Sequence, residues 1–402
     1  MEYDFTTKID RRGHDALAVD AIGLPGCPET PRPGWDFIPL WVADMNFATA
    51  PEIVDALKAR LDHPLFGYFR PTEEYFEAIC TWQERRNGVK GLTKAQIGYE
   101  NGVVGGVLSA LRVLANPGDS ILVHSPTYVG FHTNIPGAGY RLVPSPLTID
   151  SKGVWRMDYA DMEEKVKTYK IHTAVLCSPH NPSGRVWTKA ELKEAMELFE
   201  KYDVYVISDE IWSDLIYPPH SFVPSHQVNT FAKTHTVSFY APTKTFNLAG
   251  IAGSYHVSFN PRLHDQIVAV GARTGYNHMN VMAHHALIAG YTKGEPWLTA
   301  LLQVLGENAA LGHRYVEKIW TGVTSALPEG TYMMFLDCEA WCQAHQKSLD
   351  ELLRQGWDYG IGWQDGRDFG GPWSIRLNLA SPTAVLQEAF NRMTNQVFQV
   401  VG

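Results

Sequence analysis

Short runs of β-branched and aromatic residues alternate with longer stretches of helical spacing through the middle of the chain. Residues 121–124, 172–177, 204–207, 236–240 and 254–258 are apolar runs of strand length bounded by turn residues. Between them, residues 157–167 and 189–202 carry apolar side chains at helical intervals. The second stretch opens on Thr188, with Glu191 three residues on, the spacing of a capping box. Strands that read as continuously apolar and alternate with helices predict a largely parallel sheet covered by helices, an α/β fold.

The flanks break this rhythm. Residues 1–47 are punctuated by Pro25, Pro28, Pro31, Pro33 and Gly34 and read as an extended arm packed on another part of the chain. From about residue 290 a long helical pattern runs over 297–326, with Gly306 and Gly312 inside it. A strand-like run at 332–336, a helix around 349–356, a strand at 373–377 and a helix from Pro382 follow. The expected organisation is a large domain over 48–289 and a smaller α+β domain made of 1–47 and 290–402.

Composition narrows the function classes. Hydrophobic residues are 45% and charged residues 19% of 402, which excludes a disordered chain. Forty-three acidic against 34 basic residues give a net charge of −9, the wrong sign for nucleic acid or an anionic membrane surface as main partner. The most apolar stretches, 103–115 and 237–259, are interrupted by Arg112 and Lys244, so neither reads as a membrane span, and no export signal is expected in the charged opening residues. Five scattered cysteines (27, 80, 177, 338 and 342) argue against a disulfide framework and for a reducing, cytoplasmic setting. No cysteine or histidine set completes a metal site; His278, His284 and His285 read as core or interface histidines on a helix.

In a sheet of this type ligands gather at the carboxyl ends of the strands. Those ends carry Asn181 after 172–177, Asp209 after 204–207 and Thr243-Lys244 after 236–240, while Gly102-Val103-Val104-Gly105-Gly106 stands ahead of a helix. An amide, a carboxylate, a lysine and a glycine-rich helix start suit pyridoxal phosphate. That cofactor needs a lysine for a Schiff base, a carboxylate opposite its ring nitrogen and an anion site for its phosphate. Tyr128 is placed to stack on the ring. Gly102–Gly106 also admits a plain packing reading, and Thr243 that of a turn residue.

The segments Asn181-Pro-Ser-Gly184, Ser208-Asp-Glu210, Thr243-Lys-Thr245 and Ile375-Arg-Leu-Asn378 resemble the motifs of fold-type I pyridoxal-phosphate enzymes of the class I/II aminotransferase family. Trp41-Val-Ala-Asp-Met-Asn-Phe47, Phe66-Gly-Tyr68 and 241–250 resemble its MalY/PatB branch, the cystathionine β-lyases and related cysteine-S-conjugate lyases. The resemblance implies that Lys244 carries the cofactor, Asp209 pairs with its ring nitrogen, Asn181 contacts the ring oxygen and Tyr128 stacks on the ring. It implies Gly102, Val103 and Thr243 around the phosphate, with Tyr68 reaching that phosphate from the partner of a homodimer. Arg376 would clamp the substrate α-carboxylate.

Ala241 and Ala252 stand where many aminotransferases have a serine and an arginine, a loss the lyase branch shares. Asn46 and Trp212 replace an aspartate and a histidine common in that branch and are expected near the substrate side. The expected reaction is elimination from an S-substituted cysteine to thiol, pyruvate and ammonia. Transamination on the same scaffold, or a regulatory protein that retains the cofactor, are the alternatives.

Overall fold

The structure, a computed structural model, describes residues 3–398; residues 1–2 and 399–402 of the expected small domain lie outside the described residues. Seven strands form the main sheet: β1 (Ile97–Glu100), β2 (Ser120–Ser125), β3 (Arg141–Pro146), β4 (Thr173–Cys177), β5 (Tyr205–Asp209), β6 (Thr236–Tyr240) and β7 (Ser254–Val257). Their order is β1-β7-β6-β5-β4-β2-β3. Only β7 runs against its neighbours; the pairs from β6 to β3 are parallel.

Alternation along the strands sorts the core into two layers. Leu122, Ala174, Leu176 and Val206 join Met162, Leu192 and Phe199 from the helices Tyr159–Tyr169 and Lys189–Lys201. Ile121, Val123, Val175, Ile207 and Val237 pack on the other face with Val107 and Leu111 of the helix Val103–Leu114. With both faces covered, β4 and β6 are buried along their whole length, which is why they read as unbroken apolar runs. The capping box at Thr188 forms: its hydroxyl accepts from Glu191 N, and its own N–H donates to Glu191 Oε2 at 2.8 Å.

Three further strands, β8 (Met333–Asp337), β9 (Gln364–Asp365) and β10 (Ser374–Asn378), form an antiparallel sheet with β10 in the middle. The N-terminal arm joins this region: Ile38 and Pro39 pair in parallel with Ile361 and Gly362. The expected boundary at 289/290 is not a break, because the helix Val281–Lys293 runs through it and Gly294 separates it from the next.

That next helix spans Glu295–Lys318 and does not reach Ala326. Gly322 turns the chain at φ 84°, and Thr324 bridges to Asp337 at the end of β8. Trp320 and Val323, apolar positions that prolong the helical pattern on paper, are buried from this turn instead. Gly312 sits inside the helix because Met334 Sδ lies 3.0 Å from where its side chain would begin. His278 falls in the loop after the helix Pro261–Thr274 and not on a helix, whereas His284 is on one and buried.

Replacing Thr188 by Ala removes one arm of the capping box and should cost about 1 kcal/mol, read as an earlier urea midpoint with an unchanged slope.

Candidate active site

The carboxyl ends of β4, β5 and β6 and the start of the helix Val103–Leu114 open on one cavity of about 400 Å³. Lys244, Asp209, Asn181, Tyr128 and Thr243 line it, as do Gly102 and Val103. A larger cavity of about 730 Å³ near His313 and Arg185 shares none of these residues.

Each group arrives by a simple local route. Asp209 is the last residue of β5, and Cys177, its neighbour across the ladder, ends β4. Lys244 follows β6 on the short helix Pro242–Thr245, where Pro242 sets the first turn. Tyr128 precedes the helix Val129–Gly137. Gly130 leaves room for its ring, since a Cβ there would lie 2.4 Å from Tyr128 Cε1.

The electrostatics are those of buried groups that make no ion pair among the described residues. Lys244 Nζ donates to the Ala43 carbonyl at 2.6 Å and lies 5.6 Å from the centre of the Trp212 ring. Burial, reinforced by the nearby Arg376 charge, pulls its amine down to about 8 against the opposing pull of Asp44 and Asp209. Burial pushes Asp209 up to about 7, although it accepts from Ile211 N at 3.2 Å and faces Lys244.

Arg376, on β10, is 3% exposed and makes no ion pair among the described residues. Its guanidinium donates to Asn181 Oδ1 at 3.2 Å, to the Trp41 carbonyl at 2.8 Å and to Gln364, and its Nε–H is buried without a partner. Burial draws it down to about 10. A guanidinium held this way, beside a cavity and without a carboxylate, suits an anionic substrate group.

The donor set fits pyridoxal phosphate. A carboxylate whose only protein donor is one backbone N–H can take a ring N–H, and the Asn181 side-chain NH₂ has no protein acceptor among the described residues. The helix Val103–Leu114 presents its free N–H groups to the cavity behind Gly102. Gly102 itself does not need to be glycine on steric grounds. Gly105 and Gly106 do: a Cβ on Gly105 would lie 1.8 Å from Tyr276 Oη, and one on Gly106 2.4 Å from Phe239. Their packing role is therefore real.

Of the expected substrate-side residues, Trp212 lines the cavity, edge-on to Tyr332 at 4.7 Å. Asn46 does not. It accepts from Arg11 at 2.9 Å, donates to the Pro39 carbonyl, and lines a separate cavity under the N-terminal arm. The backbone of 41–47 passes beneath Lys244, but the Asn46 side chain faces away, a direction set by Arg11, which also pairs with Asp44. Tyr68 is fully exposed and touches no part of its own chain's cavity. Tyr276, Asn101 and Ala43 also line the site. Ala43 belongs to the 41–47 segment and Asn101 directly precedes Gly102, whereas nothing in the local sequence marks Tyr276.

The class I and II aminotransferase family matches residues 36–393, and the chain belongs to that family. Cystathionine beta-lyase PatB of Bacillus subtilis is 31% identical over 360 residues, covering 89% of this chain and 92% of its own length. Protein MalY of Escherichia coli is 29% identical over 405 residues, 98% of this chain and 99% of its own. Among solved structures, cystalysin from Treponema denticola, which contains pyridoxal 5'-phosphate, superposes with a TM-score of 0.90 at 30% identity, covering 98% of this chain and 99% of its own. The PLP-bound C-S lyase from Staphylococcus hominis reaches 0.89 at 25% identity, with 100% of both chains covered. The fold is thus fold type I.

Asp209 ties the site to stability. Its raised value means the folded chain holds a proton that the unfolded chain has released, so between about pH 4 and 7 the cofactor-free protein loses stability as pH rises. Replacing Asp209 by Asn should remove that loss, giving a cofactor-free protein more stable at pH 8 by a few kcal/mol and flatter in a melting-versus-pH series. It should also retain the cofactor less well on dialysis.

Proposed function

We propose that this chain is a pyridoxal-phosphate-dependent carbon-sulfur β-lyase that splits an S-substituted L-cysteine, cystathionine or a similar conjugate, into thiol, pyruvate and ammonia. The observation that carries the reading is the convergence of Lys244, Asp209 and Asn181 on one cavity, with the buried Arg376, which makes no ion pair among the described residues, donating to Asn181 Oδ1. Relatives named cystathionine beta-lyase and neighbours named C-S lyase support elimination as the reaction.

When bound, pyridoxal phosphate supplies a protonated pyridine ring that draws electrons from the substrate α-carbon. Asp209 holds the proton at the ring nitrogen. Asn181 donates to the ring oxygen, Tyr128 covers the ring face, and Thr243 with the N–H groups behind Gly102 and Val103 holds the phosphate. Arg376 orients the substrate by its α-carboxylate. Lys244, drawn down to about 8, is partly neutral near pH 7.5 and takes the α-proton. The C–S bond breaks toward sulfur, the Lys244 ammonium can return the proton to the departing thiolate, and one water is consumed in releasing pyruvate and ammonia. Ala241 and Ala252 line the cavity without a polar side chain, in keeping with the lyase branch.

The active unit in this reading is a homodimer. The loop 62–72 exposes Leu65, Phe66, Tyr68 and Phe69 together, apolar surface that a second copy would cover while receiving Tyr68 at its phosphate. Among the described residues no helix is long and apolar enough to cross a membrane. The five cysteines are all unpaired, which supports the cytoplasm as the setting.

Purified protein given cystathionine and a panel of S-conjugates should release keto acid, ammonia and thiol in equal amounts with no keto-acid acceptor. Turnover that demands an acceptor would make it an aminotransferase. Lys244→Ala should abolish turnover and the visible absorbance of bound cofactor. Arg376→Lys should raise KM at least tenfold, because a point charge does not reproduce the two-pronged fork, and an unchanged KM would remove the carboxylate role.

A further inference from the structure

Behind the start of the helix Val103–Leu114 lies a buried polar network that the reaction above does not use. Glu100, the last residue of β1, and His256, on β7, are both fully buried. His256 Nδ1 lies 2.8 Å from Glu100 Oε1, and His256 Nε2 lies 3.2 Å from His264 Nδ1. The other carboxylate oxygen of Glu100 accepts from Asn277 Nδ2 at 2.7 Å, and Asn277 Oδ1 accepts from Asn101 N at 3.1 Å. Asn101 in turn donates to the Tyr276 carbonyl, and Tyr276 Oη donates to the Gly102 carbonyl at 3.3 Å. The chain of contacts thus runs from a buried carboxylate to the two residues, Asn101 and Gly102, that form the turn into the helix and line the cavity.

Three glycines clear the space for it. A Cβ on Gly98 would lie 2.1 Å from the His256 ring, one on Gly271 2.4 Å from Asn277 Nδ2, and one on Gly105 1.8 Å from Tyr276 Oη. A network that takes the side-chain space of three separate residues is fixed in place, and its free end is the phosphate turn. The cavity's lining offers a phosphate no cation beyond Lys244, so the direction of backbone N–H groups carries the load there.

We infer that Glu100, through Asn277, is a positioning residue for the cofactor phosphate: it fixes the Asn101–Gly102 turn so that the helix start meets the phosphate, with His256 holding the carboxylate from behind. The inference rests on reading this cavity as the pyridoxal-phosphate site. Its signature is selectivity for the phosphate rather than for the ring. The test compares the affinity of cofactor-free protein for pyridoxal phosphate and for pyridoxal, which lacks the phosphate, by absorbance titration.

Asn277→Ala, at a half-buried position, should weaken pyridoxal phosphate about tenfold and leave pyridoxal within about twofold, the loss expected when a hydrogen bond to a charged group no longer fixes the turn. Glu100→Gln can keep both bonds by exchanging the His256 tautomer and should bind both compounds as the parent does. If Asn277→Ala weakens both compounds equally, or Glu100→Gln loses as much as Asn277→Ala, the positioning role is overturned. If the unaltered protein binds pyridoxal as tightly as its phosphate, the phosphate site itself is misread and the inference falls with it.

Discussion

Lys244 and Asp209 line one cavity, Arg376 donates to Asn181 in its wall, and none of the three makes an ion pair among the described residues. Lys244 and Arg376 are drawn down and Asp209 is pushed up, each first of all by burial. Folding them together is unfavourable, since each would be better solvated in the unfolded chain. In the proposed reading a bound cofactor and substrate would carry complementary features: an aldehyde for the amine, a ring nitrogen for the carboxylate and an α-carboxylate for the guanidinium. The cost of burying these groups falls on the rest of the chain, which must be stable enough elsewhere to bear it.

The rest of the structure shows how. Arg376 is held by carbonyl and amide oxygens from the N-terminal arm (Trp41), the turn after β4 (Asn181) and the small sheet (Gln364), so it joins three parts of the chain distant in sequence. The segment 41–47 is fastened from the other side: Asn378 donates to the Val42 and Asp44 carbonyls, Asn247 to those of Met45 and Phe47, and Tyr332 and Lys244 to that of Ala43. An irregular stretch buried beneath the site needs its backbone polar groups paired, and side chains supply what strand pairing does not. The lysine is positioned by a stretch of backbone that has no regular structure of its own.

Sequence made the parallel sheet legible because strands covered on both faces leave continuous apolar runs, and it made Asp209, Asn181 and Lys244 legible because each follows such a run directly. The helix end at Lys318 was hidden: Trp320 and Val323 keep the apolar period while the chain turns at Gly322, and burial from a turn looks the same as burial from a helix in a linear pattern. Asn46 was misjudged for a related reason. Its position in the 41–47 motif is near the lysine, but which way its side chain points is decided by Arg11, a residue of the arm, and no local spacing encodes that contact.

The network around Glu100 shows the same limit from the opposite side. Its members lie at 98–105, 256, 264, 271 and 276–277, and no motif links them. Yet its glycines carry information once the fold is known, because Gly98, Gly105 and Gly271 are each explained by one polar or aromatic side chain occupying their space. Gly102, which stands at the functional turn, has by contrast no steric need to be glycine. The glycines around this helix start therefore report on what packs behind the turn, and in the proposed reading the anion site would be shaped from the buried side.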